Sequence, residues 1–392
     1  MKIEGARKIP YGRQSISAED IQSVVNVLTS DWLTQGPSVE RFEEAVAEHS
    51  GAKYSVAVSN ATAALHIACL SIGLGPGDRL WTSPNTFVAS ANCARYCGAQ
   101  VDFVDIDPAT YNMSVSALAT KLASAEKVGL LPKVVVPVHF AGQSCDMEAI
   151  KVLSDRYGFF VIEDASHAIG GRYQNEPIGN CRFSDMTVFS FHPVKIVTTG
   201  EGGVVVTNQE TIRNRLVRLR SHGITRDAAM MEGAPQGPWD YQQIELGYNY
   251  RLTDIQAALG RSQLLRVNEF VARRHTLVQS YELQLQALPL TRPYQSAEAY
   301  SAFHLYVIRL KPEAPLTRFE LFEKLRLAGI GVNVHYIPVH LQPYYKKLGF
   351  KCGDFPEAEK YYSEAITLPL YYDLSGEDQQ YIIDTLSTLL TR

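Results

Sequence analysis

Seven short, nearly unbroken apolar runs constrain this chain more than any other feature. They fall at residues 55–58, 80–82, 101–104, 134–138, 159–162, 186–189 and 203–206. Runs of this length, rich in Val, Ile and Phe, suit strands covered on both faces. Between most of them lie stretches with helical spacing, at 61–72, 89–97, 115–123 and 147–157. Strand–helix alternation of this kind predicts an α/β fold with a mostly parallel sheet. Its ligands should collect at the carboxyl ends of the strands.

After Tyr250 the texture changes. Residues 253–288 keep helical spacing, as one long helix or two broken ones. The proline-bearing Arg292-Pro293-Tyr294 follows, then a strand-like 303–310, a helix over 318–327, a strand over 331–336, and helices over 355–366 and 377–390. The expected organisation is a large domain over residues 1–250. Residues 251–392 then form a long connecting helix and a smaller C-terminal α/β domain. Residues 224–240, rich in Gly, Met, Pro and Asp, read as a mobile loop.

Composition removes several classes. A net charge of −4 carries no nucleic-acid footprint. Apolar runs are far too short to span a bilayer, and Met1-Lys2-Ile3-Glu4-Gly5 lacks the apolar core of a signal peptide. Six scattered cysteines read as buried thiols of a reducing compartment, so a cytoplasmic protein is expected, without disulfides or metal. His335 and His340 are separated by Pro338 and cannot share a helical face as zinc ligands. Gly73-Leu74-Gly75-Pro76-Gly77 precedes a strand and follows a helix, the wrong order for a dinucleotide fingerprint.

The chemistry-bearing residues sit just past the predicted strands. Lys195 ends Ser190-Phe191-His192-Pro193-Val194-Lys195, between two core strands. A desolvated lysine loses basicity and forms Schiff bases readily; a solvated loop lysine stays equally open on local sequence. Asp164 closes the apolar Phe159-Phe160-Val161-Ile162-Glu163-Asp164. It can pair with a protonated pyridine nitrogen, although capping the following segment is the commoner task for such an Asp. The two residues lie 31 positions apart, at the ends of neighbouring predicted strands. Ser59-Asn60-Ala61-Thr62-Ala63 opens a helix whose free N–H groups suit a phosphate, with plain capping compatible. Phe87 follows another strand and either stacks on a ring or packs in the core.

These segments appear in order with Trp32-Leu33-Thr34-Gln35-Gly36-Pro37, Glu163-Asp164-Ala165-Ser166-His167-Ala168, Gly200-Glu201-Gly202-Gly203, Gly247-Tyr248-Asn249-Tyr250-Arg251 and Val334-His335-Tyr336. Together they resemble the DegT/DnrJ/StrS family of sugar aminotransferases, over almost the whole chain. The resemblance implies the fold type I architecture of pyridoxal 5'-phosphate enzymes, with a mostly parallel seven-stranded sheet. It implies that Lys195 attaches the cofactor, that Asp164 holds its pyridine nitrogen, and that Ala61, Thr62 and Ser190 bind its phosphate. Phe87 would stack on the ring and His167, where many relatives carry Gln, would sit near the ring hydroxyl. Asn249 would reach the cofactor of a neighbouring subunit, which implies a homodimer with shared sites. Arg251, His335 and Tyr336 would line the sugar-nucleotide pocket. A dehydrating branch of the family carries His in place of the lysine, so Lys195 favours transamination.

A narrower resemblance rests on Ile9-Pro10-Tyr11-Gly12-Arg13-Gln14 and on Phe191 to Lys195 with Thr198-Thr199-Gly200-Glu201-Gly202-Gly203. These look like the transaminases of the pseudaminic acid pathway. Those act on a UDP-linked 4-keto-6-deoxy-N-acetylhexosamine, with L-glutamate as donor. Alternatives are another UDP- or dTDP-keto-sugar, or a non-catalytic regulatory protein that binds the same cofactor.

Overall fold

In the computed structural model, residues 7–234 and 236–391 are described; the segment Met1 to Gly5 and residue 235 of the 224–240 loop lie outside them. All seven apolar runs form strands of one sheet. They are β1 (Tyr54–Val58), β2 (Arg79–Thr82), β3 (Gln100–Phe103), β4 (Val134–Val136), β5 (Phe160–Asp164), β6 (Met186–Ser190) and β7 (Gly203–Thr207). Their spatial order is β1-β7-β6-β5-β4-β2-β3. Strand β7 runs antiparallel to both its neighbours, and every other pair is parallel. Every residue of β4, β6 and β7 is buried, which is why these runs show no polar alternation.

Helices cover both faces. Helices α1 (Ala18–Leu28) and α2 (Pro37–Ser50) precede the sheet, followed by α3 (Ala61–Ser71), α4 (Ala89–Tyr96), α5 (Val115–Glu126), α6 (Met147–Tyr157) and α7 (Glu210–Arg220). One face packs α3, α4 and α7 through Ala64, Ile67, Cys93 and Leu216 against Val56, Val134 and Val188. The other face packs α5 and α6 through Leu118, Leu122 and Ile150 against Trp81, Val135 and Val161. Seven consecutive residues of α3, from Ala63 to Cys69, are buried. Such a helix needs small side chains to lie close on a sheet.

The helical pattern after Tyr250 breaks into α8 (Asp254–Leu264) and α9 (Val267–Gln284). A second, antiparallel sheet contains β8 (Leu290–Thr291), β9 (Tyr306–Leu310) and β10 (Ala365–Leu368), ordered β8-β9-β10. Helices α9, α10 (Arg318–Leu327) and a last helix, Gly376–Leu390, surround it through Leu277, Tyr281, Leu321, Leu325, Ile382 and Leu386.

Three expectations need correction here. Residues 331–336 do not form a strand; only Asn333 makes an isolated bridge, to Thr367. Side chains take the ladder positions instead. Val334 N–H donates to Asn333 Oδ1 (2.9 Å) and Tyr361 Oη donates to His335 O (2.7 Å). The helix expected over 355–366 ends at Glu364, because Ala365 turns extended and begins β10. The strand expected from 303 begins at Tyr306, since the carbonyls of Phe303 and His304 accept from Arg274 rather than from a neighbouring strand. In the 224–240 region, Ile224–Thr225 pairs with Gln242–Gln243 at the base of a hairpin. All six cysteines are unpaired and five are buried. Among the described residues no helix is long and apolar enough to cross a membrane.

Candidate active site

A cavity of about 740 Å³ opens at the carboxyl ends of β1, β5 and β6, as a mostly parallel sheet dictates. It brings together Ala61, Thr62, Phe87, Asp164, His167, Ser190, Lys195, His335 and Tyr336. These residues come from five separate stretches of chain, and no single one carries the site.

Lys195 lies on the 191–202 connection between β6 and β7. An antiparallel pair needs no crossover helix, so this connection stays short and is stapled at its base. Phe191 N–H donates to Gly202 O (2.9 Å), and Thr199 N–H donates to Phe191 O (3.0 Å). Burial pushes the Lys195 amine down to about 8, against the nearby Asp164 carboxylate, which pulls it up. An amine in this range is about one-tenth unprotonated at pH 7, against well under a thousandth for an ordinary lysine, so a nucleophilic fraction is present near neutrality.

Asp164 and its neighbour Glu163 end β5 and point to opposite sides of the sheet. Asp164 enters the cavity, where Ser90 Oγ donates to Oδ2 (2.6 Å) and Ser166 N–H donates to Oδ1 (3.1 Å). Thr86 Oγ1 stands 2.7 Å from Ser90 Oγ, so its hydroxyl is left to donate to that oxygen. Glu163 instead accepts from His139 Nε2 (2.6 Å), Ser184 Oγ (2.5 Å) and Thr187 Oγ1 (2.9 Å). Cys145 N–H donates to His139 Nδ1 (3.1 Å), which leaves the imidazole proton on Nε2. Burial alone would raise the Glu163 carboxyl, but these hydrogen bonds outweigh it and hold it below the usual range. Glu163 is therefore structural although it adjoins Asp164 in sequence.

One end of the cavity is the N-terminus of α3. Asn60 caps it, its Oδ1 accepting from Ala63 N–H (2.9 Å) and its carbonyl from Ala64 N–H (3.0 Å). The N–H groups of Ala61 and Thr62 precede the first intrahelical bond and stay free for a ligand. Gly203 allows this packing: a Cβ there would lie 2.5 Å from Asn60 C and 2.6 Å from Ala61 N. Phe87 is 57% exposed, an aromatic face turned to open space rather than into the core.

His167 and Tyr336 meet across the cavity, Nε2 to Oη, at 3.1 Å. His335 stands 3.3 Å through Nε2 from the Asn333 amide nitrogen, which can only donate. Its proton therefore sits on Nδ1, 2.8 Å from Thr367 Oγ1. Burial, then the Lys195 charge, pushes His335 down to about 3. His340 belongs elsewhere, paired with Glu359.

Asn249 and Arg251 do not line this cavity. Asn249 forms a bridge with Ser221, and Arg251 lines a separate cavity of about 350 Å³ with Glu43, Arg213 and Arg220. Tyr248 and Tyr250 turn the segment outward by packing against His66 of α3. Arg251 is thus not beside His335 and Tyr336 within one chain. Four residues that the sequence reading did not assign do belong to the site. Ser90 holds Asp164, whereas Tyr11, Asn333 and His304 line the cavity. A histidine inside the apolar Phe303-His304-Leu305-Tyr306 was a legible signal; a serine in the first turns of a helix was not.

The DegT/DnrJ/EryC1/StrS aminotransferase family model matches residues 14–387. The spore coat polysaccharide biosynthesis protein SpsC of Bacillus subtilis is 40% identical over 97% of both chains. A UDP-4-amino-4,6-dideoxy-N-acetyl-beta-L-altrosamine transaminase of Campylobacter jejuni is 36% identical over 98% of both. Among solved structures, Helicobacter pylori PseC, an aminotransferase involved in pseudoaminic acid biosynthesis, superposes with a TM-score of 0.90 at 30% identity, covering 98% of this chain and all of that one. The putative sugar aminotransferase Spr1654 of Streptococcus pneumoniae is known in PLP and PMP forms; the PMP form matches with a TM-score of 0.89 at 31% identity, covering 97% of this chain and 99% of that one.

Proposed function

The chain belongs to the DegT/DnrJ/EryC1/StrS aminotransferase family, and from that premise we propose that it moves the amino group of L-glutamate to C4 of a UDP-linked 4-keto-6-deoxy-N-acetylhexosamine. The product would be UDP-4-amino-4,6-dideoxy-N-acetyl-β-L-altrosamine. The protein is a pyridoxal-phosphate-dependent sugar aminotransferase; the donor, the nucleotide and the sugar position are the proposed part. The Campylobacter and Helicobacter relatives support that sugar. The more similar Bacillus relative, named for a spore coat polysaccharide, keeps another UDP- or dTDP-keto-sugar as the second reading.

The carrying observation is a lowered lysine amine and a buried carboxylate on one cavity, with a free helix N-terminus at its edge. The residues fit the cofactor: Ala61 and Thr62 at the α3 N-terminus line the same cavity as Lys195 and Asp164, and the missing Cβ of Gly203 lets that helix end seat against β7. When bound, pyridoxal phosphate supplies a carbonyl that condenses with amines and a protonated ring that takes up an electron pair. Ala61, Thr62 and Ser190 would hold its phosphate. Asp164, steadied by Ser90, would keep the ring nitrogen protonated, with Phe87 over the ring face and His167 near its hydroxyl. Lys195 would attach the cofactor and, displaced by glutamate, carry a proton from the donor Cα to the cofactor C4′, acting first as base and then as acid. In the second half-reaction Lys195 would move the proton in the opposite direction, toward the sugar carbon. In this reading residues 1–250 carry the cofactor. Residues 251–392 bring His335 and Tyr336 to the sugar side, and a second subunit contributes Asn249 in a cytoplasmic homodimer.

Absorbance of the purified protein tests the core of this reading. Addition of L-glutamate should lower the pyridoxal band and raise the pyridoxamine band, and Lys195→Ala should not turn over. A band indifferent to glutamate would remove the donor. A panel of UDP- and dTDP-keto-sugars, with products identified by mass and NMR, then decides the acceptor; turnover confined to another sugar refutes the altrosamine assignment.

A further inference from the structure

Two buried imidazoles on the cavity floor carry nitrogens that the fold leaves unsatisfied. His167 and His304 are 6% and 5% exposed. Their ring centroids lie 4.4 Å apart, with planes inclined at 43°. His167 Nε2 is engaged with Tyr336 Oη, yet His167 Nδ1 and His304 Nδ1 are both buried without a partner among the described residues. An unpaired buried polar atom is costly and uncommon. Two on adjacent rings call for one explanation.

His304 cannot move away from this contact. Arg274 of α9, itself buried, donates Nη1 to Phe303 O (3.0 Å), His304 O (3.2 Å) and Leu370 O (3.0 Å). Ala302 N–H donates to Gly142 O (3.0 Å) and Leu305 N–H to Ala141 O (3.3 Å). The backbone is thus tied on both sides of the ring. Both imidazoles are neutral. Burial first, then His167, Lys195, Arg274 and His335, holds His304 well below its ordinary range; burial, Lys195 and His335 do the same for His167. A neutral imidazole has one N–H and one bare nitrogen, and the partner of one decides the state of the other.

We propose that His304 is a positioning residue for His167: its Nδ1–H pairs with His167 Nδ1 and so fixes the His167 proton on Nε2, facing Tyr336. Turning the His304 ring alone about its Cβ–Cγ bond would bring its Nδ1 toward His167 Nδ1 while His167 keeps its contact with Tyr336. Donors then run one way, from His304 through His167 to Tyr336 Oη. The Tyr336 hydroxyl hydrogen is left to meet an acceptor oxygen of whatever occupies the cavity. The role rests on the cofactor reading above.

The test is a pH titration of the visible band of bound pyridoxal phosphate in the holoenzyme. His304→Phe keeps a ring in the stack and drops the nitrogen. Its band midpoint should move by about half a pH unit or more, and kcat should fall about tenfold with KM for L-glutamate within about twofold. His304→Asn, whose amide lies near the lost Nδ1, should restore the midpoint; His304→Gln, whose amide lies further out, should not, and it serves equally if the Phe variant fails to fold. Tyr336→Phe removes the hydroxyl that His304 orients through His167, so adding His304→Phe to it should shift nothing more. A wild-type midpoint and kcat in both the Phe and Gln variants, or shifts that simply add, overturns the proposal. A wild-type protein without a visible band sinks the cofactor reading and this role with it; a band unmoved by His304 sinks this role alone.

Discussion

At Lys195 two influences oppose each other, and the balance sets a pH. Burial lowers the amine and Asp164 raises it, with the result near 8. Only the unprotonated amine attacks a carbonyl. Attachment of pyridoxal phosphate to the apo-protein should therefore quicken as pH rises to about 8 and level off above it, when followed by stopped-flow absorbance. Asp164→Asn removes the raising influence, so the same profile should move to lower pH. A rate still climbing near the ordinary lysine value of about 10.4 would show an amine that burial does not perturb. Lys195 and Asp164 were legible in sequence because each directly follows an apolar strand, where ligands collect. His304 stood out within its apolar run but had no partner to point to, and Ser90 gave no local signal, because their neighbours His167 and Asp164 lie more than seventy positions away in sequence.

Within β5, two adjacent carboxylates should separate stability from chemistry. Glu163→Leu leaves His139, Ser184 and Thr187 without their acceptor on the side away from the cavity. It should cost about 3 kcal/mol in urea unfolding while the cofactor band survives in the folded fraction. Asp164→Ala should do the reverse, leaving the unfolding midpoint nearly in place and abolishing the glutamate-driven band change. Equal loss of stability in both variants would mean that the two side chains are not divided by the sheet. Most of the seven strands could be read because strands buried on both faces appear as unbroken apolar runs, whereas β3 at the sheet edge is only partly buried. The second sheet could be read only in part. Val332-Asn333-Val334 alternates as a strand does, but its pairing stops at the single Asn333–Thr367 bridge because the Asn333 side chain takes the next N–H, of Val334, and nothing local signals that. Ala365-Ile366-Thr367-Leu368 continues the helical pattern of the preceding turn, and its strand character comes from β9 beside it.

For the whole molecule, the segment around Asn249 and Arg251 lies outside the cavity of its own chain, which gives the proposed shared site a direct test. Lys195→Ala and Asn249→Ala chains should each be nearly inactive alone. Mixed after unfolding and refolding together, half of the dimers would pair one of each, and one site in such a dimer keeps both residues. Activity should then recover to about a quarter of wild type; a mixture no more active than its parts would place Asn249 outside any shared site. The sheet also imposes an order in time. Among the described residues strand β1 pairs with β7 alone, with Tyr54 opposite Thr207 and Val58 opposite Gly203. About 150 residues must leave the ribosome between them, on the order of 10 to 30 s of synthesis. Until then an apolar edge and the unfinished α3 N-terminus wait together in the nascent chain. A ribosome stalled before Gly203 therefore holds an unpaired first strand, and chaperone capture should peak on chains of that length and fall once β7 emerges.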